Sequence, residues 1–436
     1  MTATAPKDPD LRPGAPGDGG AGTGSDAAGD IDDIDGIVPV VRRRGRTKKK
    51  RQRVVVFQVI STGLFLALLA GLGWVGYQSS LRITGGNSSK VTDPSEPGYV
   101  AEVRPTPVDM VAVTDPSGAL ASVLVVTEGA DGKGGTVSAL PATVVAPETG
   151  GAGPVFLSKA LADGGLDGLR QRLGVALTFG FTSAEEVSSA TIEALAAAAG
   201  PITINNVDNL IERAPNGTET VKYRAGDLTL QPNEITPFLA FAGADESVPN
   251  QALRHQAVWE ALLGALEGKD LSGIDTGPAP TDGSAEPGFL GILPGLLGGT
   301  IAYDQVPLAV VPVPGTLFKA YVPDQAALPT FVARTVPFPT SATPGQRARV
   351  RLLNGTTNKD AAVLVSPKVV AAGGEISLIG NAESFDEATT RVEYAVPEAR
   401  SAADAIAQAL GVQATKGAKA SGSIDVDVIV GRDRSA

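Results

Sequence analysis

The 436-residue chain contains no cysteine and only one histidine, His255. The absence of cysteine excludes disulfide bonds, cysteine-based metal sites and thiol nucleophiles. A single histidine excludes a zinc site built from several histidines, and it leaves His255 as the only base available to a Ser-His pair. Aromatic residues amount to just 5%, but 43% of the residues are hydrophobic, so the chain is able to bury a core without disulfide bonds.

Charge is distributed unevenly along the sequence. The formal net charge is −11, although nine lysines and arginines lie between Arg42 and Arg53. The sequence beyond this basic run is therefore strongly acidic, and an acidic surface repels the phosphates of nucleic acids. We expect no nucleic-acid partner. The high content of Ala, Gly, Val and Asp is typical of a bacterium with a G+C-rich genome, and we expect an actinobacterial source.

An uncharged run of 28 residues, Val54–Leu81, follows the basic run. About 20 apolar residues span the hydrocarbon core of a bilayer, so residues 54–81 are predicted to form a transmembrane helix. Trp74 and Tyr77 lie at its far end, where aromatic rings favour the headgroup region. Because basic residues stay on the cytoplasmic side, we expect a single-pass protein of the cell membrane with its N-terminus inside and its C-terminus extracytoplasmic.

The segments on both sides of this helix have the composition of unfolded chain. Residues 1–53 are rich in Gly, Pro and Asp and are predicted to form a disordered cytoplasmic tail. Its basic run sets the membrane topology, and binding to anionic lipid headgroups is an alternative role. Residues 82–107 are predicted to form a linker.

Alternating strand and helix patterns begin after the linker. β-branched residues between glycine-rich turns predict strands at 110–115 and 121–129. Ser183 and Glu186 have the spacing of a capping box and predict the start of a helix there. Apolar residues at helical spacing predict another helix at Leu253–Leu266. We interpret the apolar GFLGILPGLLGG stretch as a loop packed under the core, with lipid contact as the alternative.

After Pro337–Pro344, the sequence has the order strand, helix, strand, strand, helix, strand. We expect Pro367 to kink or shorten the first of these helices. This unit resembles the LytR C-terminal domain. The resemblance lies in VRLLNGT (Val350–Thr356), GNAESFDEATT (Gly380–Thr390) and the terminal DVIVGRD (Asp427–Asp433).

Residues 108 to about 270 resemble a divergent LytR-CpsA-Psr domain. The tail, membrane helix and external domain occur in that family's order. TVSALPATVVAP and GDLTLQPNEITPFLAF are similar to family segments, and ALRHQAVWEALL (Ala252–Leu263) is similar to the family's Arg-Gln helix. The resemblance implies an α/β fold, with a membrane-anchored α/β sandwich at residues 108–340 followed by a small α/β LytR C-terminal domain at residues 345–436. Family members attach lipid-linked glycopolymers to peptidoglycan.

The sequence departs from the family at the positions that carry this chemistry. In the family, arginines hold a pyrophosphate and aspartates hold Mg²⁺, because fixed cations and a metal must offset the diphosphate charge. Pro141-Ala142-Thr143 stands where the family has Pro-Arg-Asp, and the early GALASVLV segment lacks both Arg and Asp. Arg254 matches the arginine of the Arg-Gln pair, with a helix-surface or salt-bridge role as the alternative.

The missing motifs leave few candidate site residues. We assign no catalytic residue, no metal site and no cofactor. Glu185-Glu186 is a conceivable carboxylate pair, although acids are ordinary in the first turn of a helix. The candidate ligand-binding residues are Arg254, Arg224 and Arg172, and Arg170 and Arg213 join them if the family's arginines are displaced in sequence.

The leading hypothesis is a non-catalytic, membrane-anchored envelope protein. It would bind cell-wall glycopolymer, a polyprenyl-phosphate lipid precursor or envelope-assembly proteins. One alternative is an active phosphotransferase that attaches lipid-linked glycopolymer to peptidoglycan. Another is a membrane signalling or scaffold protein that works through its cytoplasmic tail. Whether the chain is an enzyme stays open, and the absent arginine and aspartate motifs favour a non-enzyme.

Overall fold

The computed structural model describes residues 91–147, 153–274, 288–312, 319–417 and 423–435. The predicted cytoplasmic tail, the predicted membrane helix and the first part of the predicted linker lie outside these ranges. Among the described residues, none of the helices combines the length and the apolar character that a membrane crossing requires.

Strands and helices alternate along the described chain. The strands are β1 (Val100–Glu102), β2 (Val108–Thr114), β3 (Leu120–Glu128), β4 (Gly135–Pro141), β5 (Val145–Ala146), β6 (Val155–Phe156), β7 (Ser183–Val187), β8 (Ile202–Asn206), β9 (Leu210–Arg213), β10 (Glu219–Tyr223), β11 (Gly226–Leu230), β12 (Ile301–Tyr303), β13 (Leu308–Pro312), β14 (Lys319–Pro323), β15 (Ala348–Asn354), β16 (Gly374–Asn381), β17 (Arg391–Tyr394), β18 (Ala414–Lys416) and β19 (Val426–Val430). The helices are α1 (Leu157–Leu177), α2 (Ser189–Ala199), α3 (Ile235–Ala240), α4 (Val248–Leu266), α5 (Phe289–Leu297), α6 (Leu328–Thr335), α7 (Ala361–Ala371) and α8 (Arg400–Leu410). The predicted α/β class is confirmed.

A central sheet of the described chain has the strand order β12-β4-β3-β2-β7. β2, β3 and β4 form an antiparallel meander, while β7 runs parallel to β2 and β12 runs parallel to β4. Every residue of β2 is buried, so helices must cover both faces of this sheet. Met110 and Ala112 point into one core together with Leu169 of α1. Val111 and Val113 point into a second core.

The two cores hold different helices. The first core contains apolar residues of α1 and α6, and it continues into the C-terminal part of the chain through residues of α7 and α8. The second core contains residues of α2, α3, α4 and α5. The central sheet therefore separates α1 from α4, which matters below because both helices carry candidate arginines.

A second sheet lies in the C-terminal part, with the strand order β1-β16-β15-β19-β17-β18. Its apolar side chains, such as Val350 and Val428, belong to the same core as α1. β1 joins this sheet although it precedes the central sheet in sequence. Residues 100–102 thus form a strand within the segment predicted as a linker, because their main-chain groups pair with β16.

The predicted helix start at Ser183 and Glu186 is wrong. Residues 183–187 form β7, because their main-chain groups pair with the exposed edge of β2. The helix begins at Ser189 instead. Ser188 is its N-cap, and the Ser188 side chain accepts a hydrogen bond from the Thr191 N–H at 3.3 Å.

Two proline-containing segments also differ from expectation. The stretch predicted as a loop under the core is helix α5, which buries Phe289 and Leu293 and contains Pro294. Helix α7 runs through Pro367. Pro367 cannot donate to the Val363 carbonyl, but the Ser366 hydroxyl donates to that oxygen at 3.1 Å. The lost main-chain bond is thereby replaced by a side-chain bond.

Arg347 joins the C-terminal part to helix α1. Its side chain is buried, and its guanidinium donates to the Thr178 carbonyl at 3.3 Å, to the Gly374 carbonyl at 3.2 Å and to the Val370 carbonyl. Burial lowers the pKa of Arg347 to about 10. Thr178 caps the end of α1 and Val370 lies in the last turn of α7, so one cation satisfies carbonyls at the ends of two helices.

Replacing Arg347 with Met should destabilise both parts of the chain together. The substitution leaves buried carbonyls without donors, and we expect the free energy of unfolding to fall by roughly 3 kcal/mol. The measurement is urea unfolding of the full-length chain in detergent, followed by Trp259 fluorescence in a Trp74→Phe background. Arg349→Met is the matched control, because Arg349 pairs with Asp425 at an exposed position and should contribute less than about 1 kcal/mol. An unchanged Trp259 transition in Arg347→Met would show that the two parts unfold independently.

Candidate functional site

Helix α4 carries a row of polar side chains that point inward. Gln251, Arg254 and His255 are all buried, and their spacing along the helix places them on one face. Ser247 caps the N-terminus of α4 by accepting a hydrogen bond from the Asn250 N–H at 3.3 Å. We call Gln251, Arg254 and His255 the polar row.

Arg254 is held on several sides. Its Nε lies 2.7 Å from Glu246 Oε1, its Nη2 lies 3.0 Å from Glu246 Oε2, and the two side chains are only 4% and 5% exposed. Nη2 also donates to the Phe241 carbonyl at 2.6 Å, and Nη1 donates to the Phe238 carbonyl. The guanidinium carbon lies 4.8 Å from the centre of the Phe238 ring. Arg254 therefore forms a buried salt bridge, and ligand binding by this residue stays a prediction.

His255 is fully buried beside Ser122. Its Nε2 lies 2.9 Å from the Leu239 carbonyl, which accepts only from a protonated nitrogen. Nδ1 is then the acceptor, and the Ser122 hydroxyl donates to it at 3.0 Å. Burial, together with the positive charge of Arg254, holds the pKa of His255 well below its ordinary value. Both side chains are inaccessible to solvent, so this Ser-His pair is closed to any substrate.

Gln251 completes the row. Its Oε1 accepts a hydrogen bond from Thr143 Oγ1 at 2.7 Å, and its Nε2 donates to the Phe241 carbonyl at 3.4 Å. The polar row thus donates hydrogen bonds to carbonyls at the C-terminal end of α3. No residue of α3 itself is able to donate to these carbonyls. A cation in the row is also favourable there, because the C-terminus of a helix carries partial negative charge.

The segments that resemble family motifs do meet in space. Thr143, which stands at the family's aspartate position, contacts Gln251, and Gln251 lies one turn before Arg254. Nothing in the sequence pointed to Ser122 or Glu246 as partners of the row. Ser122 lies 133 residues before His255, so only the completed fold brings these two together, whereas Glu246 precedes Arg254 by eight residues.

The other candidate arginines lie on both faces of the central sheet. Arg172 donates to the Gly153 carbonyl at 3.2 Å, and Arg170 is an exposed neighbour on the same helix, α1. Arg213 lies near Arg254 in space, because Arg213 pairs with Asp245 at 3.2 Å and Arg254 pairs with the adjacent Glu246. Arg224 is exposed after β10. The structure therefore divides the candidates between the two faces of the central sheet.

The Glu185-Glu186 pair does not form a joint site. The Glu185 carboxylate accepts a hydrogen bond from the Phe289 N–H at the start of α5, whereas Glu186 is exposed. Burial raises the pKa of Glu185. A Cβ at Gly288 would lie 2.4 Å from Glu185 Oε2, so any other residue here would shift the carboxylate. Glu185 is a helix-capping side chain.

A cleft of about 510 Å³ opens at the C-terminal end of α4. Glu260, Leu263, Leu297 and Tyr303 are among its lining residues, and none of the candidate arginines lines it. Burial, together with the negative charge of Glu260, raises the pKa of Tyr303 to about 12. Within the described ranges, no three His, Cys, Asp or Glu side chains are grouped as metal ligands would be.

Comparisons with known proteins identify the C-terminal part. Residues 347–433 match the family described as LytR cell envelope-related transcriptional attenuator. The match confirms the resemblance to the LytR C-terminal domain that the motifs predicted. No curated protein matches the chain.

Several solved structures are similar to the chain at low identity. TagT from B. subtilis is 16% identical, with 55% of this chain and 89% of that chain covered and a TM-score of 0.38. TagV from B. subtilis is 14% identical over 52% and 94%, with a TM-score of 0.39. A transcriptional regulator from Enterococcus faecalis is 14% identical over 53% and 86%, with a TM-score of 0.38. TagT and TagV are LytR-CpsA-Psr proteins, but likenesses at these scores assign neither a site nor an activity to this chain.

Proposed function

We propose that this chain is a membrane-anchored, extracytoplasmic envelope protein that binds without catalysing transfer. In this proposal it is a non-catalytic relative of LytR-CpsA-Psr proteins, and its ligand is cell-wall glycopolymer or its lipid-linked precursor. The observation that carries the proposal is the state of Arg254. The guanidinium that matches the family's motif is already bonded to Glu246 and to two carbonyls.

The hydrogen bonds of Arg254 argue against a role for this residue in binding a diphosphate. An arginine has about five N–H donors, and the hydrogen bonds to Glu246, Phe238 and Phe241 occupy four of them. Glu246 also neutralises its charge. Moving this side chain to a phosphate would leave a carboxylate and two carbonyls unpaired in the interior, which is strongly unfavourable.

The position of Arg170 and Arg172 supports the same conclusion. Transfer from a diphosphate requires several fixed cations around one group. Arg170 and Arg172 lie on α1, whose apolar side packs on one face of the central sheet, while Arg254 lies on α4 at the other face. A close-packed sheet separates them, so side-chain rotation does not bring them to one ligand.

The C-terminal domain supports an envelope role. Residues 347–433 match a family whose description refers to the cell envelope. A neighbouring solved structure is described as TagT bound to LIIa-WTA. We extend that ligand class to this chain as part of the proposal, with the membrane anchor at residues 54–81.

The full-length chain in liposomes should not transfer glycan above a protein-free control. The assay supplies a polyprenyl-pyrophosphate-linked glycan, Mg²⁺ and peptidoglycan, and product is measured as radiolabel in the peptidoglycan. Co-sedimentation of the same chain with peptidoglycan that carries its glycopolymer should still show binding. Mg²⁺-dependent transfer that is lost in Arg172→Ala or Arg224→Ala would establish the phosphotransferase alternative instead.

Removing the Arg254 side chain should affect folding first. Arg254→Met leaves Glu246 charged and buried, and we expect the free energy of unfolding to fall by about 3–5 kcal/mol. Urea unfolding followed by Trp259 fluorescence is the measurement. Arg213→Met is the matched control, because Arg213 pairs with the adjacent acid Asp245 at an exposed position and should contribute less than about 1 kcal/mol. A stable Arg254→Met protein that no longer binds glycopolymer would make Arg254 a ligand-binding residue.

Stability should also depend on pH through His255. The pKa of His255 is lowered in the folded chain and is near 6.5 when the chain is unfolded. Below that value the unfolded chain gains a proton that the folded chain excludes, so stability falls as the pH falls. Between pH 7.5 and pH 5.5, the stability advantage of the unmodified chain over His255→Gln should shrink by about 1.4 kcal/mol. His255 is the only histidine, and all other titrating groups are common to both proteins, so their contributions cancel in the comparison. A constant difference would mean that His255 titrates normally.

A further inference from the structure

The segment that precedes the central sheet lies along the C-terminal domain. We call residues 93–103, which include β1, the strap. β1 pairs antiparallel with β16, with Val100 opposite Gly380 and Ala101 opposite Ile379. The strands β15 to β19 all fall within the family match at 347–433, whereas β1 comes from well before it. The strap therefore adds, at the edge of this domain, a strand from outside the matched residues.

The edge recognises the strap through its main chain. Asn381 N–H donates to the Tyr99 carbonyl at 2.7 Å, and the Gly98 N–H donates to the Ala382 carbonyl at 2.8 Å. The Asn381 side-chain amide donates to the carbonyls of Pro94 and Glu96 at 2.9 and 2.8 Å. All the strap atoms in these bonds are main-chain atoms, as in β-strand addition to a sheet edge.

Gly380 makes the close approach possible. A Cβ at this position would lie 2.1 Å from the Tyr99 carbonyl oxygen and 2.8 Å from Val100 Cα. Any other residue would push the strap away from the sheet. The acceptor edge is thus shaped for a strand at this register.

The strap lies at the surface, with Val103 packed against the edge of the core and its N–H donating to the Ser377 carbonyl at 3.0 Å. None of its residues is fully buried, in contrast to β2, which is buried along its whole length. Arg104 and Pro105, which follow the strap, are exposed, and Pro105 has no N–H to bond. The next anchored residue is Thr106, whose N–H donates to the Phe338 carbonyl at 3.0 Å. Residues 104–105 therefore provide a hinge between the strap and the central sheet.

We propose that the β16 edge exchanges straps with a second copy of this chain. Every copy carries a strap that fits the edge, so a reciprocal exchange rebuilds the same main-chain bonds and the same contact at Gly380. On the C-terminal side of the strap, the change from the closed chain to the exchanged pair then falls on the path of residues 104–105. Exchange is then controlled by the local density of copies. The inference does not depend on the glycan-binding proposal.

Single cysteines report exchange directly, because the natural chain has none. Full-length Ala101→Cys chains and differently tagged full-length Ile379→Cys chains are mixed in detergent at high concentration and mildly oxidised. Residues directly opposite in an antiparallel pair lie at a Cα separation that a disulfide is able to bridge. We expect a covalent mixed pair at a yield several-fold above that of Ala101→Cys mixed with Lys159→Cys, whose side chain is 60% exposed on α1.

Further variants test whether the Ala101→Cys and Ile379→Cys side chains are able to form a disulfide and whether the β16 edge is required. One chain carrying Ala101→Cys and Ile379→Cys should form an internal disulfide, which shows that the pair is able to bond. Adding Gly380→Val or the milder Asn381→Ala to the Ile379→Cys chain should reduce the mixed pair, with unchanged far-UV circular dichroism confirming that the acceptor is folded. If the internal disulfide forms but the mixed chains give no more product than the Lys159→Cys control, the exchange is refuted. Failure of the internal disulfide would also overturn the proposal, since the strap would then not lie on β16.

Discussion

A guanidinium that leaves water must have its charge balanced and its N–H groups paired. Arg254 meets this demand with Glu246 and the carbonyls at the end of α3. The requirement is mutual, because the buried carbonyls at the C-terminal end of α3 themselves need hydrogen-bond donors. The polar row of α4 is consequently part of the core, and the packing of α3 and α4 against the central sheet depends on it.

The same solution occurs at a second place in the chain. Arg347 donates to carbonyls at the ends of α1 and α7, and thereby links the C-terminal domain to the central domain. The apolar core on that side of the central sheet runs without interruption into the C-terminal helices. With β1 added at the far edge of the second sheet, the domain is attached by its core, by one cation and by one strand. It is not a separate module on a flexible linker.

Local patterns in the sequence predicted much of this fold. The strands β2 and β3, the helix α4 and the C-terminal order of strands and helices, apart from the short β18, follow from periodicity and turn residues, because neighbouring residues decide them. Long-range pairing was not accessible in the same way. Ser183 and Glu186 fit a capping box, but the open edge of β2 offered their main chain a better arrangement. Likewise β1 carries only a short strand signal, and its partner β16 lies far away in sequence.

The candidate site likewise combines features that local patterns predict with contacts that only the fold decides. The motifs correctly predicted that Arg254 belongs to a conspicuous helix, but its role depends on Glu246, and no motif marks that residue. The candidate arginines also fall into two groups. Arg172 belongs to a helix on one face of the central sheet and Arg254 to a helix on the other, so no small rearrangement joins them. On our proposal, binding a diphosphate there would require further cations beside Thr143, together with a partner for Glu246 in place of Arg254. The one arginine that matches the family's motif is bonded to Glu246 and to the Phe238 carbonyl, and these bonds hold α4 against the end of α3.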